Sequence, residues 1–428
     1  MRCIVLLSLV SMLGCNPDGR SPTKPGTEPA TTGTTGTNDT GSPPPEDSFM
    51  VVVLPDTQVY AQSFPETFDA QLRWVAENKH EHNIVFVTHV GDIVQAANRP
   101  NEWLNATAAY EWIREIDLPH GFSVGGHDVA NYGETPNNAC ANFSHMDCDF
   151  TDFLEHFGPQ HYEGSAWWGG ASESGHSSFQ TVSASGLNLL FLHLPQDTPR
   201  PEVEWAKEVL DAHPGHLAHI TTHRYLFDYR LTEDLPTPLN LIPAGRFNVL
   251  TYTLGGQDLL WKDGLEAETL FEELVAAHPN VWGVHCGHVD AEFKQVSENV
   301  AGLPIHEVLV DYQEMEGGGM GWMRLLTFFP SSNEVRVQSY SPVLDAYREN
   351  GEGFDHAITM LERYRQEAND ILETFGLDAA QVDAMLEAIK TDGSAERAEY
   401  YDSLYSAGDR DSDFVLSVDF AAYTAAAQ

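Results

Sequence analysis

Five short motifs place carboxylates and imidazoles directly at the ends of apolar runs. They are Asp56-Thr57-Gln58 after FMVVVL, Gly91-Asp92 after Ile84 to Val87, Gly125-Gly126-His127-Asp128 after Phe122 to Val124, Thr222-His223 closing His219 to Thr222, and Gly287-His288-Val289-Asp290 after Val281 to Cys286. Any one alone is ordinary, because an Asp after a strand usually caps a turn and a His at a strand end usually satisfies a structural hydrogen bond. In series they form a mixed set of oxygen and nitrogen donors, the kind that hard and borderline divalent ions take, and one carboxylate can bridge two such ions about 3.5–4 Å apart. The chemistry indicated is metal binding.

For the motifs to meet, the runs before them must be strands of one α/β unit. FMVVVL (Phe49 to Leu54) reads as a buried strand, Glu66 to Lys79 carries Phe68, Leu72 and Val75 at helical spacing, and Ile84 to Val87 reads as strand again. Trp103 to Ile116 predicts a helix, Leu187 to Leu194 a strand, Val203 to Ala212 a helix and His219 to Thr222 a strand. Leu265 to Ala277 predicts a helix and Val281 to Cys286 a strand. This alternation belongs to an α/β sandwich, in which ligands sit beyond the carboxyl ends of strands.

The 428 residues, 42% hydrophobic and 11% aromatic, supply one large domain or two ordinary ones. Against 64 Asp+Glu there are only 22 Lys+Arg, a formal net charge of −42, which excludes nucleic acid and anionic lipid headgroups as general electrostatic partners. An anionic substrate has to be captured locally against that field, and a bound cation is the largest local charge a site can hold.

The opening MRCIVLLSLVSMLGC sets one Arg before an apolar run too short to span a bilayer, the pattern of a targeting segment. Met12-Leu13-Gly14-Cys15 resembles the lipobox of bacterial lipoproteins, with Met12 where Leu is usual. The resemblance implies cleavage before Cys15, acylation of its thiol and, with Asn16 rather than Asp next, sorting to the outer membrane. From Asn16 to Ser48 the 33 residues include 8 Thr, 7 Pro, 5 Gly and 3 Ser, too little apolar surface to offset the entropy of ordering, so this stretch reads as a mobile tether. Of the five Cys, Cys3 falls in the removed segment. Cys140 and Cys148 are close enough to staple a polar loop with a disulfide in an oxidising compartment, and Cys286 ends an apolar run as a buried free thiol. No CxxC pair or Cys/His spacing points to a structural zinc.

From about Met50 to about Pro342 the chain resembles the calcineurin-like metallophosphoesterases, whose ordered motifs are Asp-x-His, Gly-Asp, Gly-Asn-His-Asp/Glu, His and Gly-His-x-His. The likeness is greatest to the branch opening with Asp-Thr-Gln, and it extends to CGHVD, VLVDYQ (Val308 to Gln313) and SYSP (Ser339 to Pro342). The resemblance implies two packed mixed β-sheets flanked by helices, two divalent or trivalent metal ions (Mn, Fe or Zn) and a phosphate-ester substrate. Asp56 would bind the first metal, Asp92 would bridge both, and His223 and His288 would bind the second. His127, oriented by Asp128, would protonate the leaving oxygen while a metal-activated hydroxide attacks phosphorus in line.

Three positions depart from the family pattern. Gln58 stands at a first-metal His and offers a carbonyl oxygen. Asp290 replaces the last His with a carboxylate, favouring Mn or Fe over zinc. Gly126 replaces an Asn that supplies a second-metal oxygen. Asn131 or a water fills that gap, or the site is weakened and the chain is a catalytically degraded binding protein with at most one metal. His89 either faces the pocket or supports it by hydrogen bonding, the latter being favoured, and His285 reads as a core histidine. Trp167-Trp168-Gly169-Gly170 either walls a cleft or packs down.

The domain reading is a signal peptide (1–14), lipidated Cys and tether (15–48), metallophosphoesterase domain (49–345), acidic helical insertion (346–409) and returning strand with tail (410–428). The insertion is rich in Glu, Asp, Ala and Leu, with Ile358, Leu361, Tyr364 and Ile371, Leu372, Phe375 at helical spacing, and reads as a small cap or a surface for a protein partner. Asp413 to Phe420 reads as its returning strand. Asp409, Asp411 and Asp413 are not a calcium loop, since Phe414 occupies the position that needs Gly and no Glu closes it.

The anchor reading gives a direct test. Cys15→Ser is expected to release the protein from the membrane fraction, because the tether has no apolar face of its own; continued membrane association would overturn the assignment.

Overall fold

Every side chain of FMVVVL is buried: β1 (Phe49–Leu54) sends Phe49, Val51 and Val53 into one core and Met50, Val52 and Leu54 into another. A strand covered on both faces shows no alternation, hence the unbroken apolar run. The computed structural model describes residues 47–130, 144–227, 245–247, 259–313, 315–348 and 411–428.

After β1 come α1 (Gln58–Ser63), α2 (Pro65–Asn78), β2 (Ile84–His89), α3 (Pro100–Arg114), β3 (His120–Phe122) and α4 (Thr151–Phe157). They are followed by β4 (Trp168–Ala171), β5 (Ser178–Ala184), β6 (Leu187–His193), α5 (Arg200–Ala212) and β7 (Leu217–Thr221). A short ribbon pairs β8 (Leu226–Phe227) with β9 (Gly245–Arg246), and α6 (Ala267–Leu270) runs on as a π turn over Phe271–Val275. The remaining strands are β10 (Val281–Cys286), β11 (Glu292–Glu298), β12 (Pro304–Val310), β13 (Met323–Phe329), β14 (Glu334–Ser341), β15 (Ala346–Tyr347) and β16 (Asp413–Ser417), before α7 (Phe420–Ala426).

Two seven-stranded mixed sheets result. One runs β15-β14-β13-β1-β2-β3 with β16 also on β14, and the other runs β11-β12-β10-β7-β6-β5-β4. Between them close Val51, Val53, Phe86, Phe191, Trp282 and Phe328, with the Phe86 and Phe191 rings stacked 3.8 Å apart. Tyr60, Phe68, Leu72, Val75, Trp103 and Tyr110 seat the first three helices on the outer face of the first sheet, and Val203, Ala206 and Leu270 seat α5 and α6 on the second. The fold is therefore α/β, two packed mixed sheets flanked by helices. Among the described residues no helix is long and apolar enough to cross a membrane.

Some boundaries differ from the sequence reading for local reasons. The helices α2, α3 and α5 begin with Pro at their first or second position, ahead of the apolar periodicity that marks their interiors. The helix expected over Leu265 to Ala277 is α-helical only from Ala267 to Leu270, then widens into the π turn. The expected last strand stops at Ser417, because Asp419 caps a new helix by accepting a hydrogen bond from the Ala422 N–H. The signal peptide, Cys15, nearly all of the tether, Asn131, Cys140, Asp409 and the insertion beyond Arg348 lie outside the described residues. Cys286 is a buried free thiol, and Cys148 is disulfide-bonded.

A buried carboxylate joins the points where the chain leaves and rejoins the first sheet. Glu292 accepts hydrogen bonds from the Tyr312 hydroxyl (2.5 Å), Ser339 Oγ (2.5 Å) and Ser412 Oγ, and faces Arg324 and Arg348, each at 3.3 Å. Burial, the largest influence, would raise its pKa, but the two guanidinium groups together with the Ser339 and Ser412 hydroxyls hold it down at about 2. A carboxylate held below its unfolded value contributes stability above about pH 4 that is lost as pH falls toward its folded pKa. Glu292→Gln is expected to cost about 3 kcal/mol in denaturant unfolding at pH 7, since two guanidinium groups lose their partner, and to flatten the acid limb of the stability profile between about pH 4 and 2. A variant as stable as the parent at pH 7 would show that the cluster does not hold this edge.

Candidate metal centre

Two parallel pairs of strands, β1 with β2 in one sheet and β7 with β10 in the other, are followed by turns that deliver Asp56, Asp92, His223 and His288 to one point. Two of these residues leave their strands through left-handed backbone, Asp92 at φ 52° and His288 at φ 74°, uncommon for side-chain-bearing residues and a mark of functional turns. His223 Nε2 lies 3.1 Å from Asp92 Oδ2 and 3.9 Å from Asp56 Oδ2. The His288 N–H donates to Asp56 at 3.1 Å. Among the described residues one group of three offers ligand atoms all within 4.8 Å of one another, namely Asp92, His223 and His288.

Close backbone passage makes this packing possible. A Cβ on Gly125 would stand 2.1 Å from Asp92 Oδ1, and one on Gly287 would stand 2.0 Å from Asp56 Oδ1. Glycine at these two places is thus a condition for the carboxylates to be where they are.

The hydrogen bonds fix how each donor faces. His223 Nδ1 donates to the Val90 carbonyl at 2.9 Å, so its Nε2 points at the carboxylates. Burial would lower the pKa of His223, but Asp92 outweighs it and raises it. Asp56 is raised well above the carboxylate range by burial and then by the neighbouring Asp311 and Asp92. Burial also pushes Asp92 up, yet His223 and His127 hold it below its usual value. A cation would relieve this crowding of buried negative charge, and the donors present are those a divalent ion takes. Gln58, beside them, donates to Asp92 Oδ2 at 3.4 Å, and its own buried Oε1 has no hydrogen-bond partner, which fits an oxygen ligand.

The remaining expected residues divide. The backbone N–H of His127 donates to Asp92 Oδ1 at 2.9 Å, and its ring Nδ1 donates to the Gln95 carbonyl at 2.6 Å. Asp128 does not orient that ring, a correction to the sequence reading. Its carboxylate accepts from the N–H groups of Ile93 (2.8 Å), Val94 (3.2 Å) and Gly125 (3.0 Å), bolting together the turns after β2 and β3, and burial with Asp92 raises its pKa to about 7. Asp290 is buried just before β11, outside the group of three. His89 points away from the centre: it accepts from the Gly91 N–H through Nδ1 (3.0 Å) and donates through Nε2 to Thr57 Oγ1 (2.9 Å). His285 bonds His219 at 2.7 Å inside β10, and Trp167 packs down with its indole on Asp117 at 2.9 Å. Gly126 has no left-handed backbone, so its missing side chain is not a conformational requirement.

One contributor escaped the sequence reading. Asp311, fully buried directly after β12, acts on Asp56 and carries the same signal as the others, a carboxylate at a strand end within VLVDYQ.

No family model matches the chain. The Bacillus subtilis (strain 168) protein YvnB, described as uncharacterized, is 26% identical over 345 residues, which cover 77% of this chain and 23% of that protein. The chain thus spans under a quarter of the length of that relative. Among solved structures, the purple acid phosphatase PPD1 from yellow lupin (Lupinus luteus) seeds aligns with a TM-score of 0.43 at 12% identity, covering 72% of this chain and 54% of that one. A dimetal phosphatase from Danio rerio aligns with a TM-score of 0.41 at 11% identity, covering 70% of this chain and 98% of that one.

Because the glycines set the carboxylate positions, Gly125→Ala and Gly287→Ala are each expected to weaken metal binding by about 10-fold or more while the protein stays folded. Isothermal titration with Mn²⁺ measures this, and unchanged affinity in both variants would separate these glycines from the centre.

Proposed function

We propose that the chain is a metal-dependent phosphoesterase, presented outside the cytoplasm by a lipid on Cys15, with the 346–409 segment as a surface for a protein partner. The observation that carries the catalytic part is the facing of His223 Nε2 and Asp92 Oδ2 at 3.1 Å inside a buried cluster that also holds Asp56 and His288. Asp56 and Gln58 would hold one ion, Asp92 would bridge, and His223 and His288 would hold the other, with Asp290 and Asn131 as candidates for further oxygen donors. Bound ions would activate water near neutral pH and neutralise the anionic ester, which a chain of net charge −42 otherwise repels.

The chain's own contribution to proton transfer lies in His127. With Nδ1–H committed to the Gln95 carbonyl, the imidazolium form of His127 carries its second proton on Nε2, and the leaving oxygen takes that proton and leaves the ring neutral. The His127 N–H on Asp92 Oδ1 ties this acid to the bridging carboxylate, so the distance between proton donor and reacting centre is built into the turn.

The test is turnover of an aryl phosphate monoester and a bis(aryl) diester by protein loaded with Mn²⁺, Fe or Zn²⁺. Asp92→Asn is expected to abolish both metal content and activity. His127→Ala is expected to keep its metal and slow turnover by about 10²–10⁴-fold, the usual range for a general acid. A fully loaded protein that turns over neither ester would overturn the assignment, as would loss of metal from His127→Ala but not from Asp92→Asn.

A further inference from the structure

We infer that Glu102 is a positioning residue for His127, acting through the backbone of Gln95 and Ala96. The inference rests on the general-acid role proposed above for His127, but its geometry is independent of any metal.

The five residues Ile93 to Ala97 carry successive N–H groups with no helix or sheet to satisfy them, and each has a defined acceptor. Asp128 takes those of Ile93 and Val94, and Glu102 Oε2 takes those of Gln95 (2.8 Å) and Ala96 (2.9 Å). The His127 carbonyl takes that of Ala97 at 3.1 Å. Within this segment Gln95 reaches the His127 ring, its carbonyl standing 2.6 Å from Nδ1 and its side-chain Nε2 3.3 Å from the same atom; the shorter contact, to the carbonyl, takes the Nδ1 proton. The direction of that carbonyl is set by the peptide planes on either side, and Glu102 grips the N–H of both Gln95 and the residue that follows it.

Glu102 is placed for this work rather than for ordinary capping. It stands in the first turn of α3, where a carboxylate favours the positive end of the helix dipole, yet its oxygen reaches back to residues that precede the helix. Only 4% of the residue is exposed, and Arg99, whose side chain is largely exposed, stands 3.9 Å from it. Trp103, the next residue, donates its indole N–H to the Ala97 carbonyl at 2.8 Å and fixes the far end of the segment. The first turn of α3 thus holds the strip of backbone against which the imidazole is set.

Glu102→Ala removes the acceptor, and Glu102→Gln keeps an oxygen for both N–H groups. With good aryl leaving groups, which need little protonation, Glu102→Ala is expected to lose under about 5-fold in kcat/KM. With alkyl phosphates, whose leaving oxygen needs the proton, the loss is expected to be about 100-fold, the cost of a general acid misplaced by about 1 Å. Glu102→Gln is expected to recover most of this, with metal content equal in all three proteins. In ¹⁵N-histidine-labelled protein the hydrogen-bonded Nδ1–H signal that disappears in His127→Ala is expected to shift or broaden in Glu102→Ala and to return in Glu102→Gln. If Glu102→Ala does not fold, Glu102→Asp, one methylene short of the N–H pair, gives the same readings. A folded variant with an unchanged Nδ1–H signal, or one that loses equally with every leaving group, overturns the inference. Should the parent protein turn over neither class of ester, the phosphoesterase reading falls while the Nδ1–H signal still decides the role of Glu102.

Discussion

The structure is organised around the desolvated contact between Asp92 and His223. A carboxylate and an imidazole ring nitrogen face each other at 3.1 Å with almost no access to water, with Asp56 alongside and Asp311 and Asp128 close enough to act on it. Removing several like charges from solvent at one point is unfavourable unless a positive charge is held among them. The left-handed turns at Asp92 and His288 and the bare backbone at Gly125 and Gly287 are local arrangements that make sense only if that gathering is the purpose of the turns.

The two sheets supply what such a gathering needs. Parallel neighbours put several carboxyl-terminal strand ends on one side, so residues from distant parts of the sequence arrive together: Asp56 and His288, 232 positions apart, share a hydrogen bond. A separate polar cluster at Glu292 ties Arg348, just after β15, and Ser412, just before β16, to the edge of the first sheet. The two clusters follow the same rule with different counter-charges. At Glu292 the protein provides its own guanidinium groups, whereas the basic group facing Asp56 is the His223 imidazole, at 3.9 Å, a weaker counter-charge.

The sequence made the strands and the cluster visible because both leave strong local signals. Apolar-rich runs mark β1, β2 and β10, and a carboxylate or imidazole two or three residues past the end of each marks its contribution to the centre. Asp311, directly after β12, carries the same signal inside VLVDYQ. What the sequence hid are the relations between side chain and backbone. Asp128 adjoins His127 in sequence and so reads as its partner, while its oxygens in fact serve Ile93, Val94 and Gly125. Gln95 and Glu102 carry no motif at all, because what matters in them is a carbonyl direction and a reach back across a loop, and neither is written in residue type. The short helix α6 lost its expected length for a similar reason, its periodicity continuing through a π turn that pattern alone does not separate from α-helix.

The central claim is that the buried cluster is completed by a cation, and thermal stability with and without one addresses it most directly. Asp56, raised by burial and by its acidic neighbours, favours the folded state in its neutral form, so that contribution is present at low pH and is lost as pH rises through its elevated pKa. Chelated protein therefore loses this contribution as pH rises, and a cation has most to offset on that side. The account predicts that saturating Mn²⁺ raises the melting temperature of chelated protein by about 5–10 °C at pH 8, that the increment shrinks toward pH 5, and that Asp92→Asn abolishes it. A melting temperature that Mn²⁺, Fe and Zn²⁺ all leave unchanged across this range, or an increment equally large in Asp92→Asn, would contradict it.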